Sequence, residues 1–419
     1  MLSTTATSKR SLRSSFVWNG WQKVFDRRNK SSCAAVAVPS ADDDVPSYRP
    51  RLAALREQLR QDDGNDIVAV QRYEQSQQPA EQRSRTSTTS NLLTDRFSRK
   101  HTYLRISLTE RCNLRCTYCM PAAGVPLQPA AHLLQTTEVL DLAQYFATHG
   151  VHKFRLTGGE PTLRRDLVEI VAGLNALPAT TSIGMTSNGV ALNERKLEQL
   201  ARAGLTSLNL SLDTLDAAKF AELTRRPYFS KVVRSLEAAM EIPGLTVKLN
   251  CVVQRGVNEE EVPAMVELID RYPGLKVRFI EYMPFADNKW SFDKCVPYQE
   301  LLQSLPRLSF VPSDDPHDTT KWYGLDGSNR RQVGFITSMT DNFCGTCNRI
   351  RLSADGQLQV CLFGQQQANL RDALRNGESL DEVVHTAIQG KHAMLGGHKN
   401  PIRLGEASSE HRPMTLIGG

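Results

Sequence analysis

Six of the nine cysteines fall into two triplets. Cys112, Cys116 and Cys119 lie in RISLTERCNLRCTYCMP, and Cys344, Cys347 and Cys361 lie in CGTCNRIRLSADGQLQVC. Cysteines at such intervals hold zinc, carry a redox disulfide or bind an iron–sulfur cluster. Structural zinc is closed by four ligands, and C-x3-C-x2-C supplies three. The run also differs from the C-x2-C-x2-C of ferredoxins. Three thiolates on a four-iron cluster leave one iron without a protein ligand, and an open position is where a substrate or cosubstrate binds. Taken alone, the second triplet suits zinc and iron–sulfur about equally, and the two triplets together could share ligands in a mixed zinc site. The odd count, the chain length and the lack of a visible secretory signal argue against a disulfide framework. Cys33 falls in a basic N-terminal segment, Cys251 in an apolar run reads as a buried core thiol, and Cys295 has no partner in sequence.

Elements must hold these residues in place. Short β-type runs are YLRISL (103–108), KFRLTG (153–158), SIGMTS (182–187), SLNLSL (207–212), VKLNCVV (247–253) and VRFIEYM (277–283). Between them lie helix-like segments with apolar spacing of three and four, such as TTEVLDLAQYFATHG and NERKLEQLARAG, the latter ending at a C-capping Gly204. Strands alternating with helices predict an α/β fold with a parallel sheet and right-handed crossovers. Six such units fit a partial (β/α)6 barrel better than a short doubly wound sheet. Chemistry then belongs at the C-terminal strand ends. The cysteines follow the first run, GGEP (Gly158 to Pro161) the second, SNG (Ser187 to Gly189) the third and Asp213 the fourth, and Met283 closes the sixth. All are expected on one rim. The rhythm breaks after about residue 290, so a barrel over 92–290 and a C-terminal region over 291–419 are expected.

The remaining sequence sets bounds. Of 419 residues, 40% are hydrophobic and 23% charged, as in ordinary globular proteins. No run approaches the roughly 18 apolar residues of a membrane helix, so no membrane association is expected. The formal charge of +6 resides in residues 1–40; the remainder is near neutral, which argues against a nucleic-acid surface. Residues 1–40 are basic, rich in Ser and Ala, and dotted with Trp, Phe and Leu, the composition of a mitochondrial transit peptide, and so predict the mitochondrial matrix. Residues 41–91 are polar and rich in Pro, Ser and Gln, and read as a disordered linker.

C-x3-C-x2-C after a first strand and GGEP after a second is similar to the radical S-adenosylmethionine (SAM) superfamily. LRISLTERCNLRCTYCMP, FRLTGGEPTLRRD, SLNLSLDTLD, VKLNCVVQRGVN, VRFIEYMP, GFITSMTDNFCGTCNRIRLSADGQLQVCLF and the terminal IGG resemble, more narrowly, the GTP 3′,8-cyclase (molybdenum cofactor biosynthesis protein A) family. The resemblance runs from about Leu92 to Gly419, with Ser187 where a threonine is common. It implies two [4Fe–4S] clusters, one on Cys112, Cys116 and Cys119 and one on Cys344, Cys347 and Cys361. The open iron of the first chelates SAM, whose reductive cleavage gives a 5′-deoxyadenosyl radical; that of the second binds the purine of GTP. By motif, Tyr118, Gly159, Ser211 and Met283 contact SAM, and Glu160 accepts from its ammonium. Arg105, Arg155, Thr186, Lys248, Arg278, Arg349 and Arg351 contact GTP, which suits a chain with no P-loop, because arginine meets phosphate bidentately. The tail glycines Gly418 and Gly419 reach into the active site, and no fused second enzyme is expected after them. The implied activity is that of a lyase, forming (8S)-3′,8-cyclo-7,8-dihydroguanosine 5′-triphosphate in the first step of molybdenum cofactor biosynthesis. A separate cyclic pyranopterin monophosphate synthase then takes the product. The electron donor is not legible, and a homodimer is carried as an expectation. Two other classes compete: a zinc-stabilised binding module, and a different radical enzyme that modifies a peptide.

Overall fold

The computed structural model describes residues 92–286, 288–305, 307–365, 367–408 and 412–417. The expected leader and linker, and Gly418 and Gly419, lie outside the described residues. The six expected strands are present, each within two residues of its expected ends: β1 (Tyr103–Ser107), β2 (Lys153–Thr157), β3 (Ser182–Ser187), β4 (Ser207–Ser211), β5 (Thr246–Val253) and β6 (Lys276–Glu281). The crossovers are α1 (Thr136–Thr148), α2 (Leu167–Ala176), α3 (Glu194–Ala203), the pair α4 (Ala217–Thr224) and α5 (Phe229–Met240), and α6 (Val262–Arg271). Sequence sets their ends. Asn193 caps α3 by accepting from the Lys196 amide, and Gly204 ends it at φ 116°, the left-handed geometry that glycine adopts without a Cβ clash.

After α7 (Tyr298–Ser304), the C-terminal region adds β7 (Leu308–Val311), β8 (Thr320–Leu325), β9 (Ser328–Ile336), β10 (Arg349–Leu352), β11 (Gln357–Gln359) and β12 (Gln367–Asn369), then α8 (Leu370–Asn376), α9 (Leu380–Gln389) and α10 (Pro401–Glu406). These strands continue the same sheet. Its order is β12-β11-β10-β1-β2-β3-β4-β5-β6-β9-β8-β7. β10 lies parallel to β1 and β9 parallel to β6, so the parallel core has eight strands, flanked by antiparallel β11–β12 and β7–β8. The expectation of a partial, open barrel is met, and the C-terminal region widens it.

Alternation sorts the two faces. Leu104, Ile106, Phe154, Leu156, Met185, Leu208, Leu210, Val247 and Leu249 form the face beneath the helices, and all are buried. Burying each contributes about 1.5–3 kcal/mol. The other face carries Tyr103 and Arg105 on β1, Lys153 and Arg155 on β2, Thr186 on β3, Asn209 on β4, Lys248 and Asn250 on β5, and Lys276 and Arg278 on β6, in lateral register. The loop between β7 and β8 reaches back across this face: Asp315 pairs with Lys153 on β2, and the His317 carbonyl accepts from Arg349 on β10, although β8 stands six strands from β2. A flat sheet would separate β8 from β2 by about 29 Å. The sheet therefore curls, and this polar face is concave. No helix among the described residues is long and apolar enough to cross a membrane.

Candidate active site

The loops at the strand ends interlock. The amides of Gly159 and Glu160 donate to the carbonyls of Thr109 and Arg111, each at 2.7 Å, so GGEP lies against the segment just before Cys112. This contact is why both glycines are glycine. Gly158 has φ 145°. A Cβ on Gly158 would meet Thr109 O at 2.6 Å, and one on Gly159 would meet Arg111 O at 2.3 Å. The Glu160 carboxylate is buried and already accepts from the Thr162 amide and hydroxyl, the Ser187 hydroxyl and the Asn188 amide. It ties the β2 and β3 loops together. Asn188 then donates to Asn113 Oδ1 at 2.7 Å and lies 3.6 Å from Cys112 Sγ.

The first triplet is therefore clamped from two sides, and all three thiols are free and partly buried. Burial pushes Cys112 up to about 12, with partial relief from the Leu114 amide. The neighbouring Cys119 thiol, and then burial, raise Cys116. Bare thiolates are thus penalised here, whereas an iron-bound thiolate has its charge balanced. Tyr118, buried beside them, donates its hydroxyl to Asp213 Oδ2 at 2.8 Å, and burial pushes Asp213 up to about 6. Asp213 also takes the Val252 amide, so the β1, β4 and β5 ends are joined through it. The Tyr118 hydroxyl is committed to this link.

The second triplet begins in the turn Cys344–Thr346 and ends after β11. Burial, then Cys361 and Cys347, raise Cys344. Cys347 differs: burial is outweighed by the cations Lys391 and Arg349, which bring it down to about 7. Sulfur-directed donors are the Leu395 amide to Cys344 and Lys391 to Cys347, each at 3.5 Å. Cys344 and Cys361 pack on an apolar cluster of Phe285, Cys295, Met339, Phe363 and Leu395. Among the described residues no three His, Cys, Asp or Glu side chains gather round a point that one metal ion could fill. Thiols that each bind a different iron of a cuboidal cluster share no such point. At both triplets, free thiols in a low-dielectric pocket with donors aimed at sulfur fit a cluster.

The concave face is strongly cationic. Arg351, Arg105 and Arg155 are in register on adjacent strands β10, β1 and β2. Burial, and then Arg351, hold Arg105 well below its ordinary range. Burial brings Arg278 and Arg351 down to about 10, and burial with Arg278 and Arg155 brings Lys248 down to about 8. Buried atoms on this face with no hydrogen-bond partner among the described residues include Arg155 Nη1, Asn209 Oδ1, Ser107 Oγ and Gln359 Oε1. Such atoms call for a polar ligand. Ile417, the last described residue, is buried, and its carbonyl lies 3.4 Å from Arg351 Nη1. The C-terminal tail thus enters this space.

The structure brings Arg105, Arg155, Thr186, Lys248, Arg278, Arg349 and Arg351 onto one surface. Gly159 and Tyr118 lie in the interlocked loops, Ser211 ends β4, and Met283 follows β6 and packs against the apolar cluster. Sequence reading missed Tyr103, Lys153, Lys276 and Asn250. Each lies two residues from a predicted cation on its strand, so strand alternation alone would have found them. Tyr103 accepts from Arg155 Nε. Burial would raise its hydroxyl, but the surrounding arginines outweigh it and lower Tyr103 to about 8.

The Radical SAM superfamily model matches residues 106–269, and the Molybdenum Cofactor Synthesis C model matches residues 275–396. Molybdenum cofactor biosynthesis protein 1 of Drosophila melanogaster is 50% identical over 324 residues, which are 75% of this chain and 56% of that protein. The mitochondrial GTP 3′,8-cyclase of Arabidopsis thaliana is 47% identical, covering 79% of this chain and 84% of that protein. The GTP 3′,8-cyclase of Syntrophomonas wolfei is 39% identical, covering 78% and 99%. The chain spans about half the length of the animal relatives it matches. It belongs to the GTP 3′,8-cyclase family of radical SAM proteins. That superfamily uses SAM and a [4Fe–4S] cluster.

Proposed function

We propose that this chain is a GTP 3′,8-cyclase that converts GTP to (8S)-3′,8-cyclo-7,8-dihydroguanosine 5′-triphosphate and so opens molybdenum cofactor biosynthesis. The observation that carries the reading is the concave cationic face, with its partnerless buried polar atoms, running between two cysteine triplets. Cys112, Cys116 and Cys119 would hold the first cluster, with Tyr118, Gly159, Ser211 and Met283 around SAM. Cys344, Cys347 and Cys361 would hold the second, beside the guanine. When bound, the first cluster supplies the electron that cleaves SAM. The chain's own part is placement: Arg105, Arg155, Lys248, Arg278, Arg349 and Arg351 take the triphosphate charge, Thr186 adds a hydroxyl, and the C-terminal segment up to Ile417 lies against Arg351. A reactive radical attacks whatever is near, so one fixed pose in a dry site sets the outcome. A downstream synthase taking the product, import into the mitochondrial matrix and a boundary near residue 290 complete the proposal.

The test is anaerobic: reduced protein, GTP and SAM should give 5′-deoxyadenosine together with the cyclised nucleotide. 5′-Deoxyadenosine without cyclised nucleotide would reject GTP, and a colourless protein carrying stoichiometric zinc would reject the enzyme.

Two predictions follow the cations. Lys248 is charged below about pH 8 and neutral above it, so affinity for GTP should weaken as pH rises from 7 to 9. Lys248→Arg, charged throughout, should flatten that part of the profile in equilibrium binding. Gly184 faces Arg155 across β2–β3, and a Cβ there would fall 2.6 Å from the guanidinium. Gly184→Ala should therefore push that flexible end aside. KM for GTP should rise several-fold while the unfolding midpoint changes little; the reverse pattern would place Arg155 outside the substrate site.

A further inference from the structure

Lys391 follows α9 and is only 2% exposed. A buried ammonium is tolerated when its protons meet acceptors and an anion balances its charge. Its three nearest acceptors are His101 Nε2 at 2.8 Å, the Arg349 carbonyl at 3.1 Å and Cys347 Sγ at 3.5 Å. His101 is fully buried, and its Nδ1 lies 2.9 Å from the Leu93 carbonyl. A carbonyl only accepts, so Nδ1 carries the proton and Nε2 turns its lone pair to Lys391. No carboxylate pairs with Lys391 among the salt bridges of the described residues. Of its three partners, the Cys347 sulfur is the one that can carry negative charge.

The surroundings fix this arrangement. Arg99 pairs with Asp95 at 2.7 Å and donates to the carbonyls of Cys344, His392 and Ala393 at 2.7–2.8 Å. One short stretch, 92–101, thus grips both the Cys344 turn and the backbone next to Lys391.

We propose that Lys391, oriented by His101, is a positioning residue for the second cysteine triplet: its ammonium, 3.5 Å from the Cys347 sulfur, offsets the negative charge of the iron–sulfur cluster that would be held there and raises that cluster's reduction potential. Net charge and hydrogen bonds to sulfur are the protein's main levers on such potentials. The inference rests on the reading that Cys344, Cys347 and Cys361 hold a cluster.

The test uses the full chain with Cys112, Cys116 and Cys119 replaced by alanine and reconstituted anaerobically, so that only the second triplet is loaded. Iron and sulfide are counted, and the cluster is titrated by electron paramagnetic resonance. Lys391→Met keeps a side chain of similar length and volume in the same pocket and should keep its iron, because volume-conserving swaps are tolerated best. Its reduction equilibrium should fall at least tenfold, about 59 mV for one electron, and Lys391→Arg should restore most of that. An intact cluster whose potential does not move in Lys391→Met overturns the proposal. Absence of iron in the chain with Lys391 present overturns the underlying cluster reading instead. If Lys391→Met takes up no iron, uptake kept by Lys391→Arg and lost by Lys391→Gln supports the charge role, and loss in all three variants, or uptake by Lys391→Gln, overturns it.

Discussion

Replacing Cys112 by alanine should remove iron from the first triplet and abolish formation of 5′-deoxyadenosine. Three thiols serve that site, and the Cys112 sulfur is the one approached by the Leu114 amide and by Asn188. Losing outer partners of a metal ligand already costs roughly 10- to 100-fold, so losing the ligand itself should exceed about a hundredfold. Iron quantitation should show about half the wild-type content, because the second triplet is built from other elements. Cleavage of SAM at wild-type rate in Cys112→Ala would remove the first triplet from the chemistry. Binding of GTP should survive, since the concave cations do not touch Cys112, and equilibrium binding checks this in the same sample.

Gly159→Ala should have the second large effect, through the backbone and not through any lost functional group. A Cβ at this position would lie 2.3 Å from the Arg111 carbonyl oxygen, 2.6 Å from its carbon and 2.7 Å from the Glu110 oxygen. These are main-chain atoms of the segment leading into Cys112, so no side chain can swing away. Overpacking of this kind costs about 1–3 kcal/mol. The β2 loop and the cysteine segment must part, breaking the pair of 2.7 Å hydrogen bonds. The expected result is a lower unfolding midpoint in urea together with poor iron uptake at the first triplet, and near-normal uptake at the second. Normal uptake at both would show that the contact is dispensable.

The parallel strands were legible because their residues alternate and stop abruptly at polar or glycine-rich ends, and the loops that interlock are those ends. The C-terminal strands were missed, although one signal was present. Asp326 and Gly327 have φ 51° and 76° between β8 and β9, and Asp-Gly between two β-type runs is the tight hairpin signature. What no local pattern encodes is which distant strands become neighbours. Nothing in YLRISL announces β10 beside it. His101, Lys391 and Cys347 are scattered along the chain, and their meeting depends on that pairing. The hydrogen bonds that Glu160 accepts from Thr162, Ser187 and Asn188 were also not legible in its motif, because only the β2–β3 loop contact brings those donors to it.

The eight-stranded parallel core also constrains how the chain is made. Thr102, at the foot of β1, bonds Asn348, at the foot of β10, across 246 positions, and β6 likewise waits for β9. A ribosome that has released only the first two thirds of the chain exposes a sheet with two bare parallel edges, the kind of surface that pairs with other chains. Non-local pairing of this sort is slow, and larger chains aggregate from such intermediates. Yield of soluble protein should therefore depend on synthesis rate and chaperone supply, and a piece ending near residue 290 should not fold alone.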